Sequence, residues 1–240
     1  MSPRPWTSIP IEALNEPLLE LPAELLRIEP HPYQALGAPY GDGGSPFRLR
    51  QQVLERLLEA QERLRAEDPT LRLAIFDAWR PVAVQAFMVE HSITSTCRER
   101  GIDSAEDGAA RRAVEAEVAR FWAPPSLDPA SPPPHSTGAA VDLTLADAQG
   151  VPLNLGSPID AIGAVSEPDH FADAAASNLE SEAALWHGRR QLLLHVMVSA
   201  GFRRHPNEWW HFSHGDQLWA WLSGAPLALY GRYLDGKGSF

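Results

Sequence analysis

The spacing of apolar residues divides the chain into helical and extended stretches. Val53, Leu54, Leu57, Leu58 and Leu64 recur at helical spacing, which predicts a helix with one buried face. Ser45-Pro46 offers that helix a cap and a first-turn proline, and Asp68-Pro69 ends it. Residues 71–78 read as a strand, and Pro81 opens a second helix that runs to about Arg100 and stops at Gly101. A third, charged helix covers about Gly108 to Trp122. From Ala140 to Leu145 the period changes to two, with Val141, Leu143 and Leu145 on one face and Asp142 and Thr144 on the other. Asp147-Ala148-Gln149-Gly150 suits a hairpin turn, with Val151 to Leu155 as the returning strand. Residues 163–176 read as an irregular loop. Asn178 is expected to cap a helix from about Leu179 to Ala200 that buries Leu185, Leu192, Leu193, Val196 and Met197. Glu208 to Phe212 reads as an aromatic strand, followed by a short helix holding Leu218, Trp219 and Leu222.

Residues 1–44 are rich in Pro and Gly and lack long periodicity, so they are expected to wrap the rest in short extended pieces. The Gly41-Asp42-Gly43-Gly44 stretch is read as a surface turn rather than a loop over a site. Neither a repeat nor a linker cuts the chain, which predicts one α+β domain over residues 1–240.

Charge and composition narrow the class. A net charge of -11 speaks against a nucleic-acid surface, which needs clustered Lys and Arg. Cys97 is the one cysteine, so a disulfide scaffold is excluded. The first thirty residues show no charged segment followed by an apolar run, and no window is long and apolar enough for a membrane span. A cytoplasmic address is the expectation, with a periplasmic one less favoured. Oligomeric state is not readable.

The chemistry gathers on two stretches. Pro132-Pro133-Pro134 is expected to enter as stiff, extended loop, followed at once by His135 and by Gly138, which permits a sharp turn. Asp142 then sits inside an apolar strand, where a carboxylate is costly unless something pairs with it. His211 lies near the C-terminus, three residues after Glu208. His135, Asp142 and His211 make a workable set of three zinc ligands with the fourth position open, and Glu208 would be the base for the water there. Burial against the aromatic wall should raise the pKa of Glu208. The plain alternatives stay open: a loop histidine, a strand aspartate held by backbone amides, and a core histidine packed among Trp209, Trp210 and Phe212. Arg80, at a strand–helix junction, could stabilise an oxyanion or simply pair with Asp77. Asp160, at a break amid Gly, Ser and Pro, could hold a substrate ammonium or cap a turn. His205 and His214 are near enough to His211 to be rival ligands, and His195 is expected to pack within its helix.

His-Ser-Thr-Gly-Ala-Ala-Val-Asp (135–142) and Glu-Trp-Trp-His (208–211), with Asp-Ala-Trp-Arg-Pro (77–81) and residues 153–160, resemble the zinc D-alanyl-D-alanine dipeptidases. That group is related to zinc D,D-carboxypeptidases and to the hedgehog signalling domain. The resemblance runs from about residue 71 to 213. It implies a small, mainly antiparallel sheet flanked by helices, and one zinc ion per chain held by His135, Asp142 and His211. Glu208 would serve as general base and acid, Arg80 would steady the oxyanion, and Asp160, with Tyr33 beside it, would hold the ammonium of a small dipeptide such as D-Ala-D-Ala. One departure is visible: Pro133 stands where the family usually has a serine two residues before its first histidine ligand, so the contact to a substrate carboxylate must come from elsewhere. Two alternatives remain, a D,D-carboxypeptidase or peptidoglycan peptidase of the same superfamily, and a zinc-binding module without catalysis.

Overall fold

The computed structural model describes residues 4–42 and 44–234. Gly43, which falls in the expected surface turn, lies outside the described residues. The strands are β1 (Leu18–Glu20), β2 (Leu26–Arg27), β3 (Arg48–Arg50), β4 (Arg72–Asp77), β5 (Ala140–Ala146), β6 (Arg203–Arg204) and β7 (His211–Ser213). The helices are α1 (Pro32–Ala35), α2 (Gln51–Glu67), α3 (Val82–Glu99), α4 (Ala109–Val118), α5 (Ala172–Ser177), α6 (Glu182–Ser199) and α7 (Gln217–Ser223). A five-stranded sheet runs β2-β4-β5-β7-β6, parallel at β2–β4 and antiparallel elsewhere; β1 and β3 form a separate antiparallel pair. The class is therefore the expected one, a small, mainly antiparallel sheet among helices. No helix among the described residues is long and apolar enough to cross a membrane.

The period-two reading of β5 explains the layers. Val141, Leu143 and Leu145 join Leu73 and Ile75 of β4 and Phe212 of β7 in a core closed by α2 (Val53, Leu57, Leu64) and α6 (Leu193, Val196, Met197). A second apolar cluster gathers Val84, Met88, Ile93 and Cys97 of α3, Val114 and Val118 of α4, Phe121, Trp122 and Tyr33, with Phe76 of β4 packed against it. Both faces of β5 are buried, so Asp142 and Thr144 lie under cover and not against solvent.

Several sequence expectations need correction. The helix expected from Ser45-Pro46 begins at Gln51, because residues 48–50 pair with β1 instead. Residues 151–155 return beside β5 through one isolated bridge, Ala146 to Pro152, and not as a strand. Part of the loop at 163–176 is helical: a 3-10 turn at Ala164–Ser166 precedes α5. Asn178 ends α5, and it is Ser181 that caps α6 by accepting from the Ala184 N–H. Leu185 is exposed rather than buried. His195 is exposed too, reaching towards Glu67 at 3.8 Å. The His135 loop is not extended: Pro134–Thr137 forms a 3-10 turn, which Gly138 ends at φ +73°.

Candidate metal and catalytic site

The site is built on one row across three strands. Asp142 of β5 pairs in register with His211 of β7 on one side and with Asp77 of β4 on the other. Directly paired residues of antiparallel strands project to the same face. Asp77 reaches that face because β4 carries a register shift between Ile75 and Asp77. Without the extra residue Asp77 would turn towards the apolar core. The 3-10 turn ahead of β5 then brings His135 over the row.

His135, Asp142 and His211 are buried and each offers a donor atom within 4.8 Å of the others. Nδ1–H of His135 donates to the Ala78 carbonyl at 2.6 Å, so its Nε2 carries a lone pair. Nε2 of His211 faces Ser213 Oγ at 3.2 Å, and with the ring proton placed there its Nδ1 carries one. Those two lone pairs stand 3.1 Å apart, and each lies 3.0–3.1 Å from an Asp142 oxygen. Three acceptors facing one another repel unless a cation sits among them. The set, two imidazoles and one carboxylate with outer hydrogen bonds fixing both rings, is the chemistry of a zinc site with an open position. Burial pushes the Asp142 carboxyl up, but His135 and His211 beside it hold it well below the usual carboxylate range.

Glu208 does not lie on the strand, as its sequence suggests, but just ahead of the bend at Trp209-Trp210 that leads into β7. It lines the same cavity as the three residues above. Burial, then the charge of Asp142, push its carboxyl well above the usual range, as expected for a group against an aromatic wall. Its Oε1 is buried and has no hydrogen-bond partner among the described residues. Arg80 also lines the cavity, and the plain alternative for it is met at the same time. Its guanidinium takes Asp77 Oδ2 at 2.8 and 3.0 Å, Gln85 Oε1 at 2.8 Å and Asp142 Oδ2 at 3.3 Å. His31 and the Tyr40 hydroxyl hold the other oxygen of Asp77 at 3.1 and 3.0 Å. The arginine is thus locked from behind.

Asp160 lines the cavity from a left-handed backbone position, φ +66°. The Tyr33 hydroxyl donates to it at 2.7 Å, which joins two residues 127 positions apart. Burial and the charge of Asp142 push the Asp160 carboxyl up to about 7. The loop that carries Asp160 is pinned by Arg190 of α6, a residue the sequence reading passed over. Its guanidinium donates to the Leu155, Val165 and Glu167 carbonyls at 2.8–3.0 Å and stacks over Phe171 and Trp209. A buried arginine in a helix leaves no local signature, so only the folded chain reveals it.

Of the two rival histidines, neither joins the three-residue cluster. His214 donates from Nδ1 to the Gly201 carbonyl at 2.9 Å. His205 lines the cavity beside Glu208, with Nδ1 3.4 Å from Oε1. Arg4, from the wrapping segment, lines it as well and was not foreseen.

The family model for peptidase M15, D-ala-D-ala dipeptidase, matches residues 27–228. The chain belongs to this family. It is a peptidase, and so a hydrolase. The D-alanyl-D-alanine dipeptidase of Synechocystis sp. is 41% identical over 239 residues, covering 95% of this chain and 96% of that one. The D-alanyl-D-alanine dipeptidase of Escherichia coli K12 is 35% identical over 79 residues, 32% of this chain and 36% of the relative. Among solved structures, VanYB in complex with D-alanine-D-alanine is similar at TM-score 0.49 and 14% identity, covering 91% of this chain and 93% of that one. The zinc complex of an E175A mutant of the vancomycin-resistance D,D-pentapeptidase VanY is similar at TM-score 0.43 and 15% identity, covering 87% and 88%.

Proposed function

We propose that this member of the family is a zinc-dependent dipeptidase that hydrolyses D-Ala-D-Ala or a similar small dipeptide. The convergence of His135 Nε2, His211 Nδ1 and the Asp142 carboxylate on one point carries this reading. A zinc ion held there supplies Lewis acidity, which lowers the pKa of a water and polarises a peptide carbonyl. Glu208 takes the proton from the attacking water and hands it to the leaving amine, a shuttle that suits a buried carboxyl with a raised pKa and a free oxygen. Arg80, held by Asp77 and Gln85, presents its fixed positive charge to the oxygen on which negative charge builds. Asp160, with Tyr33 donating to it, receives the free ammonium of the substrate. That contact restricts cleavage to the first peptide bond. The names of the two dipeptidase relatives support the choice of substrate.

Zinc-loaded protein should release amine from D-Ala-D-Ala and leave longer D-Ala-D-Ala-terminated peptides intact. Preferential cleavage of the longer peptides would favour a D,D-carboxypeptidase instead. Glu208→Ala should retain its zinc, measured by metal analysis, while kcat falls by roughly 10²–10⁴. Undiminished turnover in that variant would remove the proposed base.

A further inference from the structure

The cavity holds more positive charge than the reaction described above uses. Arg80 has its donors committed to Asp77, Gln85 and Asp142. Arg4 is different. Its Nη2 donates to the carbonyls of Ala119 and Trp122 at 3.0 and 2.8 Å, which anchors one corner of the guanidinium. Its Nε and Nη1 make no hydrogen bond among the described residues; Glu208, which also lines the cavity, acts on its charge, but no ion pair within 4.0 Å ties the two together there. A guanidinium has five N–H donors in a planar fork, so the anchored group still presents an edge that matches a carboxylate.

Next to it stands His205. Trp6 joins the two, lying under the Arg4 guanidinium at 5.4 Å and edge-on to the His205 ring at 5.9 Å. The backbone N–H of Asn207 donates to His205 Nδ1 at 3.2 Å, which puts the ring proton on Nε2. The ring is only 3% exposed, and Nε2 is buried without a partner. A buried donor without a partner is costly, so one left this way is usually completed by a ligand or a water. Pro132, Pro133 and Pro134 have no backbone N–H and no side-chain donor, so that run cannot supply an anion contact.

A dipeptide is a zwitterion, and the cavity has a pole for each end. Asp160 is the acidic one. We infer that Arg4 and His205 form the subsite for the substrate's C-terminal carboxylate, with Arg4 supplying the charge and His205 Nε2–H a second donor. This deepens the dipeptidase reading and rests on it. It also gives the N-terminal segment a job: Arg4 closes part of the substrate cavity, so the segment does more than wrap the core.

The test compares D-Ala-D-Ala with its C-terminal amide, which has the same shape but no carboxylate. Binding is measured by calorimetry in a Glu208→Gln background, where turnover does not consume the ligand, and kcat/KM is measured in the otherwise native enzyme. The native chain should prefer the acid at least tenfold in both readings. Arg4→Met should abolish that preference by weakening the acid alone, and Arg4→Lys should restore part of it. His205→Phe, which keeps the ring packing, should lose several-fold on the acid, and His205→Gln should recover some of that. A misplaced segment would weaken acid and amide equally, which would overturn the subsite. So would a preference that survives Arg4→Met. Dipeptide cleavage by the native enzyme would stand in either case. If the carboxylate preference in binding is intact but zinc-loaded native protein cleaves no dipeptide, the proposed reaction fails and the subsite stands.

Discussion

At the scale of single residues, burial pushes every carboxyl of the site up, and the neighbours decide which of them stays low. Asp142 and Asp160 lie in the same cavity, yet the first is held ionised by two imidazoles while the second is pushed up to about 7. An ammonium-binding role for Asp160 requires its charged form. The sign follows: as pH falls through about 7, Asp160 gains a proton and loses the ammonium. KM for a dipeptide should therefore rise on the acidic side of 7, approaching tenfold per unit where protonation dominates. The Tyr33 hydroxyl stabilises the ionised carboxylate, so Tyr33→Phe should move the KM profile to higher pH. A profile of KM against pH in the two proteins checks this, and an identical midpoint in both would disconnect Tyr33 from the substrate.

At the scale of elements, the turn between His135 and β5 sets the geometry. Gly138 ends the 3-10 turn at φ +73°, where a β-carbon would run into Leu18 Cδ2. Gly138→Ala should cost about 2 kcal/mol from the left-handed backbone alone, lowering Tm by roughly 4–8 °C in a chain of this size. The damage should extend to zinc affinity, because Ala139 and Ala140 carry the register that aligns Asp142 with His211. Thermal unfolding and a competitive zinc titration would show the two losses together. The loop at 155–167 makes the same point in another form. It has little regular structure of its own, and α6 holds it in place through the single guanidinium of Arg190.

At the scale of the molecule, the cluster of His135, Asp142 and His211 ties distant segments together. His135, Asp142 and His211 come from a turn and two strands, and the groups behind them come from β4, the start of α3 and the first forty residues. Anything that binds the folded arrangement and not the unfolded chain stabilises it by mass action. With zinc at about a thousandfold over its Kd the gain is about 4 kcal/mol, so chelation should lower Tm by roughly 8–16 °C. A Tm unmoved by chelator and by added zinc would show that no ion occupies this cluster in solution. The His135→Ala protein provides the control, since its Tm should no longer respond to metal.

Much of this was written in short windows of the chain. A strand with alternating apolar residues and one aspartate declares which face Asp142 takes, and Glu208 and His211 stand three residues apart whatever the rest does. Such features depend on neighbours within a few residues, so backbone periodicity and local sterics suffice to set them. The same logic failed at element ends, where pairing with a remote strand shortened α2 and where a different side chain capped α6. What no window contains is which distant surfaces meet. The shift in β4 that turns Asp77 towards Asp142, the bond from Tyr33 to Asp160, and the arrival of Arg4 and Trp6 beside His205 all require loops of tens of residues or more to close. The apolar faces of β5, α2 and α6 drive that closure by leaving water together, and the polar groups they carry arrive as a consequence.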